Sequence, residues 1–315
     1  MSIAFTFPGQ GSQSVGMGRD LAEQFAEARA VFQEVDDALG EKLSETMWNG
    51  PESDLTLTAN AQPALMAVSL ATMRVIEARG LDLKASVAFV AGHSLGEYSA
   101  LAAAGALSVA DAARLLRVRG DAMQKAVPVG EGAMAALLGL DFDAAVEVAR
   151  EAAGGEVCEA ANDNAPGQVV VSGHKSAVER AIEIAKARGA RRAVLLPVSA
   201  PFHCSLMSPA ADVMAEALAG VDMKMPTVPL VANVLAAPIS DPVDIRQRLV
   251  EQVTGTVRWR ESVSWMADAG VDTAFEIGTG KVLSGMVKRI AKEMAGSPVN
   301  TAADIDALMD RLQSN

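Results

Sequence analysis

Residues 87–103 run from an apolar stretch, Val87–Ala91, through Gly-His-Ser-Leu-Gly at 92–96, into an alanine-rich segment. The first part reads as a buried strand and the last as a helix, so the serine sits where one hands over to the other. A bare G-x-S-x-G occurs by chance in roughly one chain in ten of this length. The strand on one side and the helix on the other are what turn it into a nucleophile elbow, a motif that requires a sheet with helices packed on it.

The flanking sequence supplies such a sheet. Ile3–Phe7 is a short strand pattern stopped by Pro8 and Gly9, and Leu21, Phe25, Ala28, Phe32, Val35 and Leu39 form one helical face ending at Gly40. A second helix is predicted from Pro63 to Gly80, with proline at the first position and glycine past the end. Residues 228–234 and 271–278 are further short apolar strands separated by helical segments, which predicts an α/β fold with a mostly parallel sheet. Between them the order of patterns is β-α-β-β-α-β, the split-βαβ, ferredoxin-like arrangement. The expected organisation is a catalytic part over 1–127 and 199–315 with a small subdomain inserted at 128–198.

Composition agrees. Half the residues are hydrophobic but only 4% are aromatic, which suits helices layered on a parallel sheet. The formal charge of −12 lacks the basic footprint of a nucleic-acid or anionic-membrane binder. Cys158 and Cys204 provide neither a disulfide framework nor metal-ligand spacing, which points to a reducing, cytoplasmic setting. The amino-terminal segment lacks the charged and apolar regions of an export signal, and the most apolar stretch, 87–113, is interrupted by His93, Glu97 and Asp111.

Ser94 is the candidate nucleophile, with the Leu95 N–H facing the developing oxyanion. Of three histidines, His93 adjoins the serine on a sharp turn and is expected to pack or brace the loop. His174 opens a helix, where capping or solvation is the default. His203, in a loop after an apolar run, is the base by elimination. Arg119 falls on an apolar helical face with Ala112, Leu116 and Met123, while Arg114, Arg117, Asp121 and Lys125 share the polar face. A buried arginine must be paired, and two partners are open: an internal acid, or the carboxylate of a substrate. Gln252 shares a face with Ile245 and Leu249, either as a structural amide or as support for a histidine.

Taken together, the chain closely resembles malonyl-CoA:acyl carrier protein transacylases over nearly its whole length. The matching motifs are FPGQGSQ (7–13), GHSLGEYSAL (92–101), the RG (119–120) ahead of DAMQ, NAPGQVVVSG (164–173), APFHCSLM (200–207) and EIGTGKVLSGMVKR (276–289). The resemblance implies an α/β-hydrolase-like core with a ferredoxin-like insert. It implies Ser94 as nucleophile, His203 as base, Arg119 as partner of the malonyl carboxylate, and the N–H groups of Gln10 and Leu95 as the oxyanion hole. Gln252 matches the residue that supports the histidine, through either its side chain or its main-chain carbonyl.

The implied reaction moves malonyl from malonyl-CoA to Ser94 and then to the phosphopantetheine thiol of acyl carrier protein, with no metal and no bound cofactor, in a monomer. Phe202, before His203, narrows the room for an α-methyl branch, which favours malonyl over methylmalonyl. Because carrier proteins of this pathway and this chain are both acidic, docking is expected on a local basic face formed by Lys281, Lys288, Arg289 and Lys292. The family often has proline where Thr256 and Thr279 stand, which bears on loop rigidity. Three other readings compete: a serine hydrolase or thioesterase using Asp141, Asp143 or Asp163 as its acid, a carrier-binding module without chemistry, and an acyltransferase serving a polyketide pathway in trans.

Overall fold

A computed structural model describes residues 2–313. Among the described residues ten strands form two sheets: β1 (Ile3–Phe7), β2 (Phe89–Gly92), β3 (Gly132–Leu138), β4 (Cys158–Ala165), β5 (Gln168–His174), β6 (Arg192–Leu195), β7 (Leu230–Ala232), β8 (Ala237–Ile239), β9 (Thr273–Ile277) and β10 (Ala295–Val299). The larger sheet runs β10-β9-β1-β2-β7-β8 and is parallel except at the β7–β8 edge. Strand order reverses at β1, so the chain leaves β1 and β2 side by side at the carboxyl edge, where open α/β sheets hold their ligands.

The smaller sheet, β4-β5-β3-β6, is antiparallel throughout, the strand order of the ferredoxin-like motif. Helices Phe142–Ala153 and Lys175–Ala187 cover it, with Val148, Ala149, Val178 and Ala181 in a core of its own. It is fastened to the larger part by backbone bonds from Asp163 to Val257 and from Val257 to Ala161, and by Arg260 on the buried Asp163.

The helix beginning the central layer spans Thr58–Ala78, five residues earlier than Pro63 suggests. Pro63 removes one intrahelical bond, yet the turn ahead of it is held by packing: a Cβ at Gly120 would lie 2.6 Å from the Ala59 Cα. Sixteen of its 21 residues are buried, so this helix is covered on every side rather than amphipathic. The first helical face is also interrupted. Phe25 is extended between helices Arg19–Gln24 and Ala26–Leu39, and Arg29 takes the orphaned carbonyls of Ala22 and Glu23. Strands β8 and β10 carry no strand signal in sequence because each holds a proline, Pro238 and Pro298; both are edge strands, the place where a sheet tolerates proline.

Candidate active site

Ser94 stands between β2 and helix Gly96–Ala103 with φ of 53°, a left-handed conformation unusual for a residue with a side chain. The two flanking glycines are steric requirements of that turn. A Cβ on Gly92 would sit 1.9 Å from Gly96, and one on Gly96 would sit 2.3 Å from the Phe7 carbonyl oxygen of β1. Asn233, after β7, fastens the turn from outside: its Oδ1 accepts from the Ser94 N–H at 2.8 Å and its Nδ2 donates to the Gly92 carbonyl at 2.7 Å. Strain at Ser94 is therefore held by a cross-strand amide.

His203 also has a positive φ, 58°, in the loop before the short helix Ser205–Met207. That geometry aims Nε2 at the Ser94 Oγ, 2.8 Å away, while Nδ1 lies 2.8 Å from the Gln252 main-chain oxygen. A carbonyl only accepts, so Nδ1 carries the proton and Nε2 is the lone-pair nitrogen facing the serine. Burial pushes the imidazole down to about 3, helped by the nearby Arg119 charge and opposed by the Gln252 carbonyl. His203 is therefore neutral, the form a base needs.

Arg119 lies on the buried face of helix Val109–Ala126, only 1% exposed. Its hydrogen bonds go to amides and the nucleophile: Nη1 to Gln62 Oε1 at 2.8 Å, Nη2 to Gln252 Oε1 at 2.8 Å and to Ser94 Oγ at 3.1 Å. Tyr98 places its ring 5.8 Å from the guanidinium, and the Arg119 Nε has no partner. Among the described residues no carboxylate touches it, so none supplies the internal ion pair left open by the sequence and the charge is held in place by neutral partners. Burial lowers the arginine pKa, with Tyr98 and Glu97 opposing, but a guanidinium stays charged.

The Gln252 residue divides its work. Its carbonyl faces the His203 Nδ1, and its amide donates to the Ser94 carbonyl at 2.9 Å and to Glu97. Glu97, 1% exposed, also accepts from the Asn233 N–H at 2.6 Å. Burial raises its carboxyl to about 8 against the pull of those donors and of Arg119.

A cavity of about 800 Å³ opens over this group, lined by Gln10, Leu95, Arg119, Met123, Phe202 and His203 among others. Among the described residues the backbone N–H groups of Gln10 and Leu95 have no acceptor, whereas that of Ser94 is taken by Asn233. Two free donors beside the nucleophile can stabilise an oxyanion.

Other sequence candidates fall outside this group. His93 bonds Asn164 at 2.8 Å and packs on Trp259, and His174 Nδ1 accepts from the Val157 N–H at 2.9 Å, so both are braces. Asp141 caps a helix through Ala144, Asp143 is exposed, and Asp163 is bound by Arg260; none reaches His203. The group that faces His203 Nδ1 is a neutral carbonyl, not a carboxylate. Lys281, Lys288, Arg289 and Lys292 are exposed on and around helix Val282–Ile290, with Arg289 engaged by Gln168 and the Pro166 carbonyl. Thr256 bonds the Ala160 carbonyl at 2.6 Å and Thr279 that of Ser12 at 3.5 Å, so each hydroxyl ties down its loop.

Gln62, Glu97 and Asn233 were not singled out from sequence as site residues. Glu97 in an alanine-rich helix and Asn233 in an apolar strand are polar residues in apolar runs, the signal that could have found them. Among the described residues no cluster of three or more His, Cys, Asp or Glu could hold a metal ion, and no helix is long and apolar enough to cross a membrane.

Residues 4–308 match the acyl transferase domain family. The malonyl CoA-acyl carrier protein transacylase of Bacillus subtilis (strain 168) is 46% identical over 312 residues, 99% of this chain and 97% of that protein. The crystal structure of acyl-carrier-protein-S-malonyltransferase from Bartonella henselae superposes with a TM-score of 0.98 at 58% identity, covering 99% of this chain and all of that one. A structure of a type II PKS acyl-carrier protein in complex with its malonyl-transacylase matches with a TM-score of 0.95 at 43% identity over the full length of both chains.

Proposed function

The chain belongs to the acyl transferase family, and from that membership and the geometry of its cleft we propose a Ser94-dependent mechanism for a malonyl-CoA:acyl carrier protein transacylase supplying fatty acid synthesis. The activity is transfer of malonyl from malonyl-CoA to the phosphopantetheine thiol of acyl carrier protein in two half-reactions. The observation that carries the assignment of roles is the Ser94 Oγ, within 2.8 Å of His203 Nε2 and 3.1 Å of an arginine that no carboxylate neutralises.

In the first half-reaction the malonyl carboxylate pairs with Arg119, which brings the thioester carbonyl over Ser94. Oγ attacks that carbon as its proton passes to His203 Nε2, and the oxyanion is received by the Gln10 and Leu95 N–H groups. Collapse breaks the carbon–sulfur bond, and coenzyme A leaves as a thiol with the proton from His203. In the second, the carrier thiol gives its proton to His203 while sulfur attacks the ester carbon. Ser94 recovers the proton as malonyl departs on the carrier. The cation that accumulates on His203 is stabilised by the Gln252 carbonyl dipole.

Phe202 is proposed to set selection of malonyl over methylmalonyl, and Lys281, Lys288, Arg289 and Lys292 to form the carrier-docking face. We assign the inserted subdomain to 128–198. A cytoplasmic monomer is the proposed state, the location supported by two buried, free cysteines.

The test is to load the enzyme with malonyl-CoA and supply reduced holo carrier protein or water alone. Malonyl on the carrier supports the transferase; release of malonate faster than transfer supports the hydrolase. Comparing carriers from fatty acid and polyketide pathways separates the two transferase roles.

A further inference from the structure

Malonyl selection, on the reading above, rests on how the Arg119 guanidinium is held, and it is held by amides whose own orientation must be fixed. Of its two amide partners, Gln62 has only a 3.8 Å contact to the Met123 sulfur on its other side. Gln252 is different. Its Nε2 faces three acceptors, the Ser94 carbonyl, the Glu97 carboxyl and, at 3.5 Å, the Asn233 Oδ1, so its Oε1 must face Arg119. The Glu97 carboxyl is itself fixed, because its other oxygen accepts from the Asn233 N–H at 2.6 Å. All three side chains are essentially out of solvent, so no water can take over a lost partner.

We propose that Glu97 is the positioning residue for malonyl selection: by accepting from Gln252 it fixes which end of that amide meets Arg119, and so aims the guanidinium that receives the substrate carboxylate. The role is separable from general base function, because His203 is held by the Gln252 main-chain oxygen rather than by its amide. The Glu97 carboxyl touches neither the Ser94 hydroxyl nor substrate; it acts through one intermediary, and only its backbone N–H reaches the Ser94 carbonyl.

The isosteric Glu97→Gln variant isolates the effect when the two proteins are compared above pH 8, where the wild-type carboxyl, raised to about 8 by burial, is ionised and only accepts. The Asn233 N–H claims the oxygen of the new amide, whose NH2 then faces the NH2 of Gln252. Relief requires Gln252 to turn over and present its NH2 to Arg119, displacing the guanidinium. The expected result is a fall of at least 20-fold in kcat/KM for malonyl-CoA, carried mainly by KM. Ser94 sulfonylation by phenylmethylsulfonyl fluoride, which has no carboxylate, should stay within about 3-fold of wild type.

Gln252→Met removes the intermediary and should lose malonylation, with sulfonylation lowered as well because its amide also holds the Ser94 carbonyl, and adding Glu97→Gln to it should cost less than a further 2-fold in malonylation. This coupling stands even where one single variant folds poorly, since each single variant is read by its own ratio of malonylation to sulfonylation. Equal losses in both reactions, full malonyl activity in Glu97→Gln, or additive losses in the double variant would overturn the proposal. A wild type that is sulfonylated but never malonylated overturns the functional reading itself, and this inference with it.

Discussion

Arg119 and Glu97, a buried guanidinium and a buried carboxyl beside Ser94, do not touch: the Gln252 amide stands between them, accepting from the first and donating to the second. A direct pair would have satisfied both charges and left nothing for a substrate. Separation by one neutral amide keeps the guanidinium ordered and still short of an anion. Malonyl, unlike a neutral acyl group, brings that anion.

Removing the guanidinium should therefore act on malonyl alone. Truncating one member of a buried, hydrogen-bonded charge pair costs about 2–5 kcal/mol, so Arg119→Ala should lower kcat/KM for malonyl-CoA by roughly 30- to 4,000-fold. Loading of acetyl-CoA should change far less. Parallel losses for the two thioesters, measured by stopped-flow acylation, would show that Arg119 serves the fold rather than the carboxylate.

The acid limb of the pH profile should be displaced. His203 is depressed well below an ordinary imidazole by burial and by Arg119, with His93 a smaller contributor. Acylation of Ser94 should thus stay level from pH 8 down past 6.5 and decline only in more acidic solution. Stability follows the same sign: the contribution of the neutral, buried imidazole is complete above about 6.5 and is lost as pH falls from there toward about 3, because the unfolded chain takes up the proton first. An acylation rate that halves near pH 6.5 would mean that His203 is solvated in the working enzyme.

Phe202 lines the cavity and is itself buried. Exchanging Phe202 for serine should open space for an α-methyl group and raise methylmalonyl-CoA use relative to malonyl-CoA by about 10- to 200-fold, the 1–3 kcal/mol that one methyl group is worth. Competition between the two thioesters, read by mass spectrometry of the acyl-enzyme, measures the ratio; an unchanged ratio assigns selection elsewhere.

Charge reversal of Lys288 and Arg289 to glutamate should raise KM for carrier protein severalfold and leave KM for malonyl-CoA alone, with the difference shrinking at high salt. Arg289 also holds the turn at Pro166 and Gln168. Lys288→Glu alone therefore isolates the docking effect from any loosening of that turn, and an unaltered carrier KM would remove this face from the account.

Where sequence and structure agree, the agreement has a local origin. The Ser94 elbow, the inward face of Arg119 and the β-α-β-β-α-β order are written in short-range spacing, which one strand or one helix determines for itself. What escaped is long-range. Asn233 meets Ser94 across 139 positions of sequence and Gln252 meets Glu97 across 155, pairings that no periodicity announces. Edge strands β8 and β10 escaped for another reason: their prolines break the pattern that sheet interiors impose. Likewise the helix expected at Pro63 begins at Thr58, because packing against Gly120 outweighs the lost backbone bond.

The central claim is that Ser94 carries the malonyl group between two thiols, and intact-protein mass spectrometry tests it most directly. Wild type and Ser94→Ala are exposed briefly to malonyl-CoA, and holo carrier protein is then added. The account predicts one malonyl adduct on wild type, none on the variant, and its disappearance from the enzyme as it appears on the carrier. An adduct of equal yield on Ser94→Ala, or carrier malonylation by that variant at the wild-type rate, would contradict it.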